Sequence, residues 1–395
     1  MSQRPSWLQS VLQQSKLILV LQTLESRELL RTSARAPRNS SPDNRRLLDE
    51  SRIPSAIRDY YSCSVGQDPL QKRHNRYQAL EPYDRTRVHV PTPASSLNSE
   101  TRDMPSDTDK HRYLNANWVR ELAGGKWWIA GQAPLPNTIH AFLTLCMSPV
   151  TPPSTVSATS SSSSLSSMQR VHTIVQLTPL LEGGRRRAHP YFPTSPQQSI
   201  VVNTELGCDV PPIHVFNDRE EVISDAECIK TDLRLRWGGD EFMGGDQGEY
   251  KVTHLLYTTW PDFGVPKDNR SIHRFAQLVE RLNNRHLTHP TDDPNASPPI
   301  LIHCSAGVGR TGSFIALSSL LRVYSLLSAT QSSFQRPRVA SPLPASPLGP
   351  LPRDLDGDLI AAEIDALREQ RQSMVERPEQ VIWVYKALYD SFTES

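Results

Sequence analysis

The stretch ILIHCSAGVGRTGSF, residues 300–314, constrains the fold of this chain more than any other part of its 395 residues. An apolar run bounded by Pro299 and a cluster of glycines is typical of a short buried strand. The apolar run that follows the glycines is typical of a buried helix. The stretch therefore predicts a strand, a tight loop and a helix in immediate succession.

The glycines of this loop allow two interpretations. Gly307, Gly309 and Gly312 spell G-x-G-x-x-G, which on its own is a weak signal for a dinucleotide site. Such a site needs an acidic residue about twenty positions further on to hold the ribose hydroxyls. Residues 326–336, LLSATQSSFQR, contain neither Asp nor Glu, so the sequence argues against a bound dinucleotide.

The second interpretation is a loop that binds phosphate. Backbone N–H groups at the start of a helix point toward a bound anion, and glycines let the loop curl tightly around it. The residues expected to line this anion site are Ser305, Ala306, Gly307, Val308 and Gly309. Arg310 can donate two parallel hydrogen bonds to the phosphate oxygens.

Cys304 and Thr311 give the loop a chemistry. A cysteine in the positive field of a helix start ionises readily, and a thiolate below a bound phosphorus is a nucleophile in position. The Thr311 hydroxyl can donate to that thiolate, and His303 is expected to orient the backbone and the thiol. Taken singly, Cys304 is more often a structural cysteine and Arg310 a solvated residue. The whole decapeptide HCSAGVGRTG, however, is specific.

Composition narrows the class of protein. The net charge of +1 provides no field that would draw the chain to nucleic acid or to a membrane. Five scattered cysteines without a C-x-x-C pair predict neither disulfides nor a zinc site, and they favour a reducing compartment. The longest apolar run near the start, Leu17 to Leu21, is too short to span a membrane. We therefore expect a cytoplasmic or nuclear protein without a metal or a cofactor.

The first fifty residues differ in pattern from the rest. Residues 1–50 read as an amphipathic helix from about Trp7 to Leu30, followed by a polar linker. The residues expected near one face of that helix are Leu8, Val11, Leu12, Leu19 and Leu30.

Segments of low complexity interrupt the remainder of the chain. Ser- and Pro-rich stretches cannot bury enough apolar surface to offset their ordering entropy, so we predict disordered inserts. These inserts are residues 149–169, 287–298 and 329–356. Between them, strand and helix patterns mix without strict alternation. That mixture predicts a single α/β (α+β) domain over 51–395, with a twisted mixed β-sheet flanked by helices.

The decapeptide resembles the phosphate-binding signature of the cysteine-dependent protein tyrosine phosphatases. Five further segments resemble motifs of that family, in the family's order: HNRYQALEPYDRTRV (74–88), YLNANWV (113–119), WIAGQAPLPNT (128–138), WPDFGVP (260–266) and LREQRQSMVERPEQ (367–380). The match covers most of residues 55–395 and is similar to the tyrosine-specific, non-receptor branch, including fungal members. It implies a single phosphatase domain that hydrolyses phosphotyrosine through a phosphocysteine intermediate.

The resemblance implies roles for further residues. Asp262 in WPDFGVP would be the acid for the leaving phenol and then the base for water, on a flap that moves. Tyr77 would pack against the substrate ring, in a slot too deep for phosphoserine. Glu182 would pair with Arg310 and fix the orientation of its guanidinium group. Read alone, Asp262 is an ordinary turn residue after a proline, and Tyr77 an ordinary core tyrosine.

Among the departures from the family pattern, two bear on binding and turnover. Ala79 stands where the family usually has an acidic residue or Asn that holds the substrate backbone, so peptide positioning should be weaker or achieved otherwise. Glu376 stands where the family normally has the glutamine that orients the hydrolytic water, and its carboxylate would face the phosphocysteine dianion. Gln380, the second family glutamine, is present and can take over. The resemblance therefore predicts an ordinary attack step and a slow hydrolysis step.

Functions from three classes follow from these residues. The first is an active phosphotyrosine-protein phosphatase. The second, motivated by Ala79 and Glu376, is a phosphotyrosine-binding module with impaired hydrolysis, although the presence of Cys304, Arg310 and Asp262 argues against it. The third, a sulfur-transfer or arsenate-reducing enzyme, lacks support from the remaining motifs. We expect phosphotyrosine-containing proteins, kinases among them, as partners, and a monomer that binds no nucleic acid.

Overall fold

The structure is a computed structural model, and it describes ten stretches of the chain. These are residues 5–11, 14–36, 53–91, 112–153, 170–204, 210–238, 248–261, 264–285, 297–327 and 343–393. The α-helices within them are α1 (Ser6–Val11), α2 (Gln14–Arg35), α3 (Ser55–Tyr60), α4 (Ser64–Gln67), α5 (Ile139–Met147), α6 (Asn269–Asn284), α7 (Gly309–Val323), α8 (Leu359–Gln370) and α9 (Pro378–Ser391). The strands are β1 (Ala116–Arg120), β2 (Trp127–Gly131), β3 (Thr173–Gln176), β4 (Leu181–Glu182), β5 (Arg185–Arg186), β6 (Gln198–Val202), β7 (Ile213–Ile223), β8 (Cys228–Trp237), β9 (Glu249–Tyr257) and β10 (Ile300–His303).

Eight of these strands form one mixed sheet, in the order β1-β2-β10-β3-β9-β8-β7-β6. Its centre is parallel, because β10 pairs in parallel with both β2 and β3, and β3 pairs in parallel with β9. The outer pairs are antiparallel. Strands β4 and β5 form a separate hairpin. This architecture confirms the predicted α/β class with a mixed sheet flanked by helices.

The two faces of the sheet are buried in two different cores. In β10, Ile300 and Ile302 belong to a core that includes residues of α6, α7 and α9, while Leu301 belongs to a second core that includes residues of α5. Side chains of a strand alternate between its faces, so a strand buried on both faces reads as an unbroken apolar run. That is why β10 is recognisable from the sequence.

The long β7–β8 hairpin, in contrast, is not predicted from the sequence. Strand β7 reads IHVFNDREEVI, and only Ile213, Val215 and Asn217 are buried along it. Its second half is exposed and charged, so the apolar run that marks a strand is missing. The hairpin is an example of tertiary pairing that overrides a weak local pattern.

Helix α2 packs against the domain in a way that differs from the predicted apolar face. Leu8 is buried in α1 as expected, but Leu30 is 38% exposed. Leu12 and the side chain of Val11 lie outside what the structure describes. The buried residues of α2 are Val20, Thr23, Leu24, Arg27, Arg31 and Ala34. Two arginines lie on this face, and the apolar pattern alone does not predict that.

The predicted inserts fall mostly outside the described residues. Of the segment 329–356, residues 343–356 are described, and they lie against α2, where Arg27 donates hydrogen bonds to the carbonyl oxygens of Leu348 (3.3 Å) and Gly349 (2.8 Å). Leu355 in this segment is buried. None of the described helices combines the length and the apolar character that crossing a bilayer requires.

Candidate active site

The loop between β10 and α7 wraps around the thiol of Cys304. Cys304 is 5% exposed, and the Gly307 N–H donates a hydrogen bond to its Sγ at 3.2 Å. Gly307 has a φ of +75°, and a Cβ there would lie 2.0 Å from the carbonyl oxygen of Gly131. Only glycine fits this position, because the backbone is left-handed and a neighbouring strand approaches it closely. The loop therefore curls tightly next to the sulfur, in a shape that requires glycine at position 307.

His303 is a buried, neutral histidine directly before the thiol. Its Nδ1 lies 3.0 Å from the carbonyl oxygen of Cys304, and its Nε2 lies 2.9 Å from the hydroxyl of Tyr191. Burial, reinforced by the charge of Arg76, lowers the pKa of His303 to about 4. The neutral ring therefore donates from Nδ1 to the Cys304 backbone and accepts at Nε2 from Tyr191. This geometry agrees with the orienting role expected from the sequence.

Arg310 is held beside the loop by Glu182 in the β4–β5 hairpin. Its two terminal nitrogens donate to the two carboxylate oxygens at 2.7 and 2.9 Å, and Nη1 also donates to the carbonyl oxygen of Leu177 at 3.1 Å. A bidentate pair of this kind fixes the plane of the guanidinium. Arg187 lies 3.5 Å from the same carboxylate. The structure thus brings Glu182 to Arg310 as the resemblance implies.

Tyr77 lies at the loop as well. Its hydroxyl is 2.7 Å from Ser305 Oγ, and the Ser305 hydroxyl donates to the carbonyl oxygen of Arg187 at 2.7 Å. Tyr77 is half-buried, which differs from the fully buried side chain of an ordinary core tyrosine. Its neighbour Arg76 is tied to Gln132, whose Oε1 accepts from the Arg76 N–H at 2.8 Å. The segment that carries Tyr77 is therefore anchored to the sheet next to the loop.

Arg371 is a site residue that sequence reasoning missed. It is completely buried, and it donates to the carbonyl oxygens of Gly307 (2.8 Å) and Ala306 (3.1 Å). Its remaining contacts are the side-chain oxygens of Asn115 and Asn117, at 3.0 and 2.8 Å. Arg371 binds the carbonyl groups of the loop from outside. The backbone N–H groups of the loop are then left to face inward. The only signal in the sequence is that these three residues lie in motifs of the family.

The opposite side of the loop lies against the chain between α8 and α9. A Cβ built at Gly309 would lie 2.9 Å from the side-chain amide atoms of Gln380 and 3.3 Å from Glu376 Oε2. A Cβ built at Gly312 would lie 2.4 Å from the backbone nitrogen of Val375. Gln380 is buried and Glu376 is exposed. Gln380, the residue predicted to orient water, and Glu376, the departure from the family pattern, therefore both reach the first turn of α7.

For two predicted residues, Asp262 and Thr311, the structure describes no contact with the thiol. Asp262 lies outside the described residues, although the chain is tied together on both sides of it, because Trp260 Nε1 donates to the Gly264 carbonyl oxygen at 3.1 Å. Thr311 Oγ1 is buried and has no hydrogen-bond partner among the described residues. The roles of Asp262 and Thr311 remain predictions. No group of His, Cys, Asp or Glu side chains in the described part of the chain is arranged to hold a metal.

The sequence of the chain is similar to that of known phosphatases. The family profile described as protein-tyrosine phosphatase matches residues 71–150 and 166–332, which together are more than half of the chain. Tyrosine-protein phosphatase 99A of Drosophila melanogaster is 30% identical over 267 residues, which make up 67% of this chain and 16% of that protein. Tyrosine-protein phosphatase non-receptor type 14 of Homo sapiens is 27% identical over 263 residues, 65% of this chain and 18% of that protein. Phosphatidylinositol phosphatase PTPRQ of Homo sapiens is 28% identical over 274 residues, 68% of this chain and 9% of that protein.

The chain thus spans less than a fifth of the length of each of these relatives. The matched residues nevertheless include most of what the site is built from. Cys304, Arg310, Glu182 and Tyr77 all fall within the matched ranges. Loop geometry, sheet architecture and family profile agree, and the chain belongs to the protein-tyrosine phosphatase family.

Proposed function

We propose that this protein hydrolyses phosphotyrosine in proteins through a phosphocysteine intermediate on Cys304. The observation that carries the proposal is the loop itself, in which the Gly307 N–H reaches Cys304 Sγ and Arg310 is fixed beside it by Glu182. A thiol below a set of inward N–H groups, next to a rigid guanidinium, is suited to attack a bound phosphate dianion. No cofactor enters this reaction.

The first step transfers the phosphoryl group to sulfur. The Cys304 thiolate attacks phosphorus, and the bond between phosphorus and the tyrosine oxygen breaks. Asp262 gives its proton to that oxygen, so that tyrosine leaves as a neutral phenol. Arg310 and the loop N–H groups stabilise the charge on the equatorial oxygens as the bonds change.

The second step restores the enzyme. Water attacks the phosphorus of phosphocysteine, the sulfur–phosphorus bond breaks, and Asp262 takes a proton from the water. Gln380 is the residue we propose for orienting that water, since it is buried against the start of α7. Glu376 lies at the same edge, where its carboxylate would repel the phosphoryl oxygens.

The position of Tyr77 supports phosphotyrosine as the substrate. An aromatic side chain bonded to the loop through Ser305 provides a wall for a substrate ring above the thiol. A phosphoserine side chain is shorter, so its phosphorus would stay short of Cys304. Proteins that carry phosphotyrosine, kinases among them, are the proposed partners. A cytoplasmic site of action accords with the free, buried cysteines Cys63, Cys146 and Cys228.

The proposal is tested by replacing the nucleophile. Cys304→Ser should lower the turnover of a phosphotyrosyl peptide by roughly 10³-fold or more, because a serine hydroxyl does not ionise usefully in this site. Binding of the same peptide, measured by fluorescence anisotropy, should persist. In the wild-type protein, acid quenching during turnover should trap one phosphoryl group on Cys304, detectable by mass spectrometry.

Controls separate this reaction from its alternatives. Cys228→Ser replaces another buried cysteine, on β8, and should leave turnover unchanged. A phosphoseryl peptide and a phosphoinositide, included because one relative is named a phosphatidylinositol phosphatase, should be poor substrates. Residual turnover in Cys304→Ser without a trapped phosphoenzyme would overturn the assignment. A wild-type protein that binds the peptide but never turns it over would support a binding module instead.

A further inference from the structure

We infer that helix α2 positions the hydrolysis side of the active site, through Glu28, by fixing the turn that carries Glu376. We call residues 371–377, between α8 and α9, the 371–377 turn. The inference rests on the proposed function and adds to it a positioning residue about 350 positions before the water-handling residues. It is carried by contacts of Glu28 and Arg368, by the backbone of the turn and by the contact of the turn with the loop.

The 371–377 turn has a strained backbone. Ser373 and Val375 have φ angles of +57° and +55°. A left-handed conformation is unfavourable for any residue with a Cβ, and a β-branched valine is an outlier there. Such a conformation persists only where the surrounding structure holds it. The turn must therefore be fixed by contacts from outside itself.

Two side chains supply those contacts. Arg368 of α8 donates to the carbonyl oxygens of Met374 (2.8 Å) and Val375 (2.7 Å), and it also donates to the carbonyl oxygen of Leu24 in α2 at 2.9 Å. Glu28, one turn further along α2, accepts a hydrogen bond at Oε1 from the Ser373 N–H at 3.3 Å. Helix α2 is thus bonded to the turn directly through Glu28 and indirectly through Arg368.

Helix α2 is itself firmly docked on α8. Arg31 is fully buried, and its Nη2 lies 2.6 Å from both Asp365 and Glu369. Arg27 pairs with Asp365 at 2.9 Å. Buried charges that are paired and hydrogen-bonded restrict a helix to one position, because any shift would leave a charge unpaired. Glu28 therefore reaches the turn from a rigid support.

The turn contacts the loop between β10 and α7, which we call the signature loop. The Val375 N–H donates to the carbonyl oxygen of Val308 at 3.3 Å, immediately before α7 begins. Glu376 follows directly, and its carboxylate and the Gln380 amide lie within reach of Gly309. A shift of the turn would move these two side chains relative to phosphocysteine. Arg371, at the start of the turn, is completely buried and bonded to the loop carbonyls, so we expect the shift to be confined to the residues after it. Arg310 is held from the other side by Glu182 and should keep its place.

The inference is tested by separating the reach of Glu28 from its charge. Glu28→Asp keeps the negative charge but shortens the side chain, so the hydrogen bond to Ser373 is lost. Glu28→Gln keeps the reach and an acceptor oxygen but removes the charge that pairs with Arg31 and Arg35. We expect Glu28→Asp to lower kcat roughly five- to tenfold, with kcat/KM unchanged, and Glu28→Gln to retain most of kcat.

Pre-steady-state kinetics add a readout that loss of fold stability would not produce. With a chromogenic aryl phosphate, Glu28→Asp should show a larger burst of phenol followed by a slower steady rate, because phosphocysteine accumulates. The matched control is Glu25, an exposed glutamate one turn earlier in α2, for which Glu25→Asp should leave both phases unchanged. Thermal unfolding midpoints of all variants report whether α2 stays docked.

Each outcome decides the inference. Equal losses in Glu28→Asp and Glu28→Gln, or a fall in kcat/KM, would mean that Glu28 acts through charge or folding, and would overturn it. If Glu28→Asp does not fold, Ser373→Gly provides the second test. Glycine removes the strain at the left-handed position, so the Ser373→Gly, Glu28→Asp double variant should fold. Its kcat should fall less than the kcat of Glu28→Asp alone is expected to fall. An equally large fall in kcat would contradict the inference. Wild-type protein without turnover would overturn the proposed function, and this inference with it.

Discussion

The two flanks of the signature loop are built in different ways. The attack flank, made of His303, Cys304, Arg310 and Glu182, is held by a neutral histidine directly before the thiol and by a bidentate pair from the adjoining hairpin. The hydrolysis flank, made of the 371–377 turn and Gln380, is held by a strained backbone that α2 and α8 stabilise. Arg310 is therefore fixed by the β4–β5 hairpin, and the loop that carries Cys304 is bonded to the buried Arg371. The hydrolysis residues depend on a helix from outside the family motifs.

This difference suggests where the protein can vary. The attack flank keeps every residue that the family resemblance requires, and its side chains constrain one another. The hydrolysis flank carries the departure at Glu376, in a turn whose shape depends on remote contacts. A change in α2 can then alter the second chemical step without touching the first.

Acid should destabilise the folded protein in part through His303 of the attack flank. Because burial lowers the pKa of His303 to about 4, the folded state binds fewer protons than the unfolded state between about pH 6.5 and pH 4. Stability is thus complete above pH 6.5 and falls as the pH drops toward 4, by about 3 kcal/mol from this histidine alone. The measurement is the free energy of unfolding by urea at several pH values.

His303→Asn isolates the contribution of that residue. Its unfolding free energy should depend on pH less steeply in this window, by about 1.4 kcal/mol per pH unit. Two other buried histidines, His140 and His254, have pKa values lowered by burial to about 4 and about 3, so part of the slope should remain. Identical slopes for the variant and the wild type would show that His303 is not neutral in the folded protein.

Weakening the bidentate contact of Glu182 with Arg310 should lower the rate of the attack step. Glu182→Gln removes the charge from a bidentate pair whose side chains are about 10% exposed. A hydrogen bond to a charged group contributes about 1.5–3 kcal/mol, so kcat/KM should fall by roughly tenfold to a hundredfold. The burst amplitude should shrink as well, because attack becomes limiting. Glu220→Gln, an exposed glutamate on β7, is the matched control, and a change in kcat without a change in kcat/KM would contradict the prediction.

Much of the attack flank could be predicted from the sequence, because its residues are contiguous or lie in short motifs. The strand β10, the loop after it and the contact of Glu182 with Arg310 agree with the structure, whereas the chemical roles of these residues stay predictions. Arg371, which binds the loop from the first residue of the 371–377 turn, is not predicted, since nothing local marks a buried arginine that binds two loop carbonyls. Such a contact joins segments that only the folded sheet brings together.

The hydrolysis flank was less predictable for a physical reason. The sequence predicts one helix over 358–376, but α8 ends at Gln370 and the strained turn follows. Helix propensity favours continuation, whereas Arg368 satisfies the carbonyls of the turn and so stabilises the break. Similarly, the buried face of α2 passes through Arg27 and Arg31, which a hydrophobic pattern counts as exposed. Tertiary contacts decide both cases, through hydrogen bonds from Arg368 to backbone carbonyls in the first and through the ion pairs of Arg27 and Arg31 in the second.

The smallest effect is expected at Glu376. Attack should be ordinary, because Cys304 and Arg310 are in place, but a carboxylate beside the hydrolytic water repels the phosphoryl oxygens. Glu376→Gln should therefore raise kcat by roughly a few-fold and shrink the phenol burst, with little change in kcat/KM, which reports only the steps through the first irreversible one. Rapid mixing with a chromogenic aryl phosphate measures both quantities. If neither form shows a burst and their kcat values agree, Gln380 alone positions the water, and the two flanks differ in construction but not in rate.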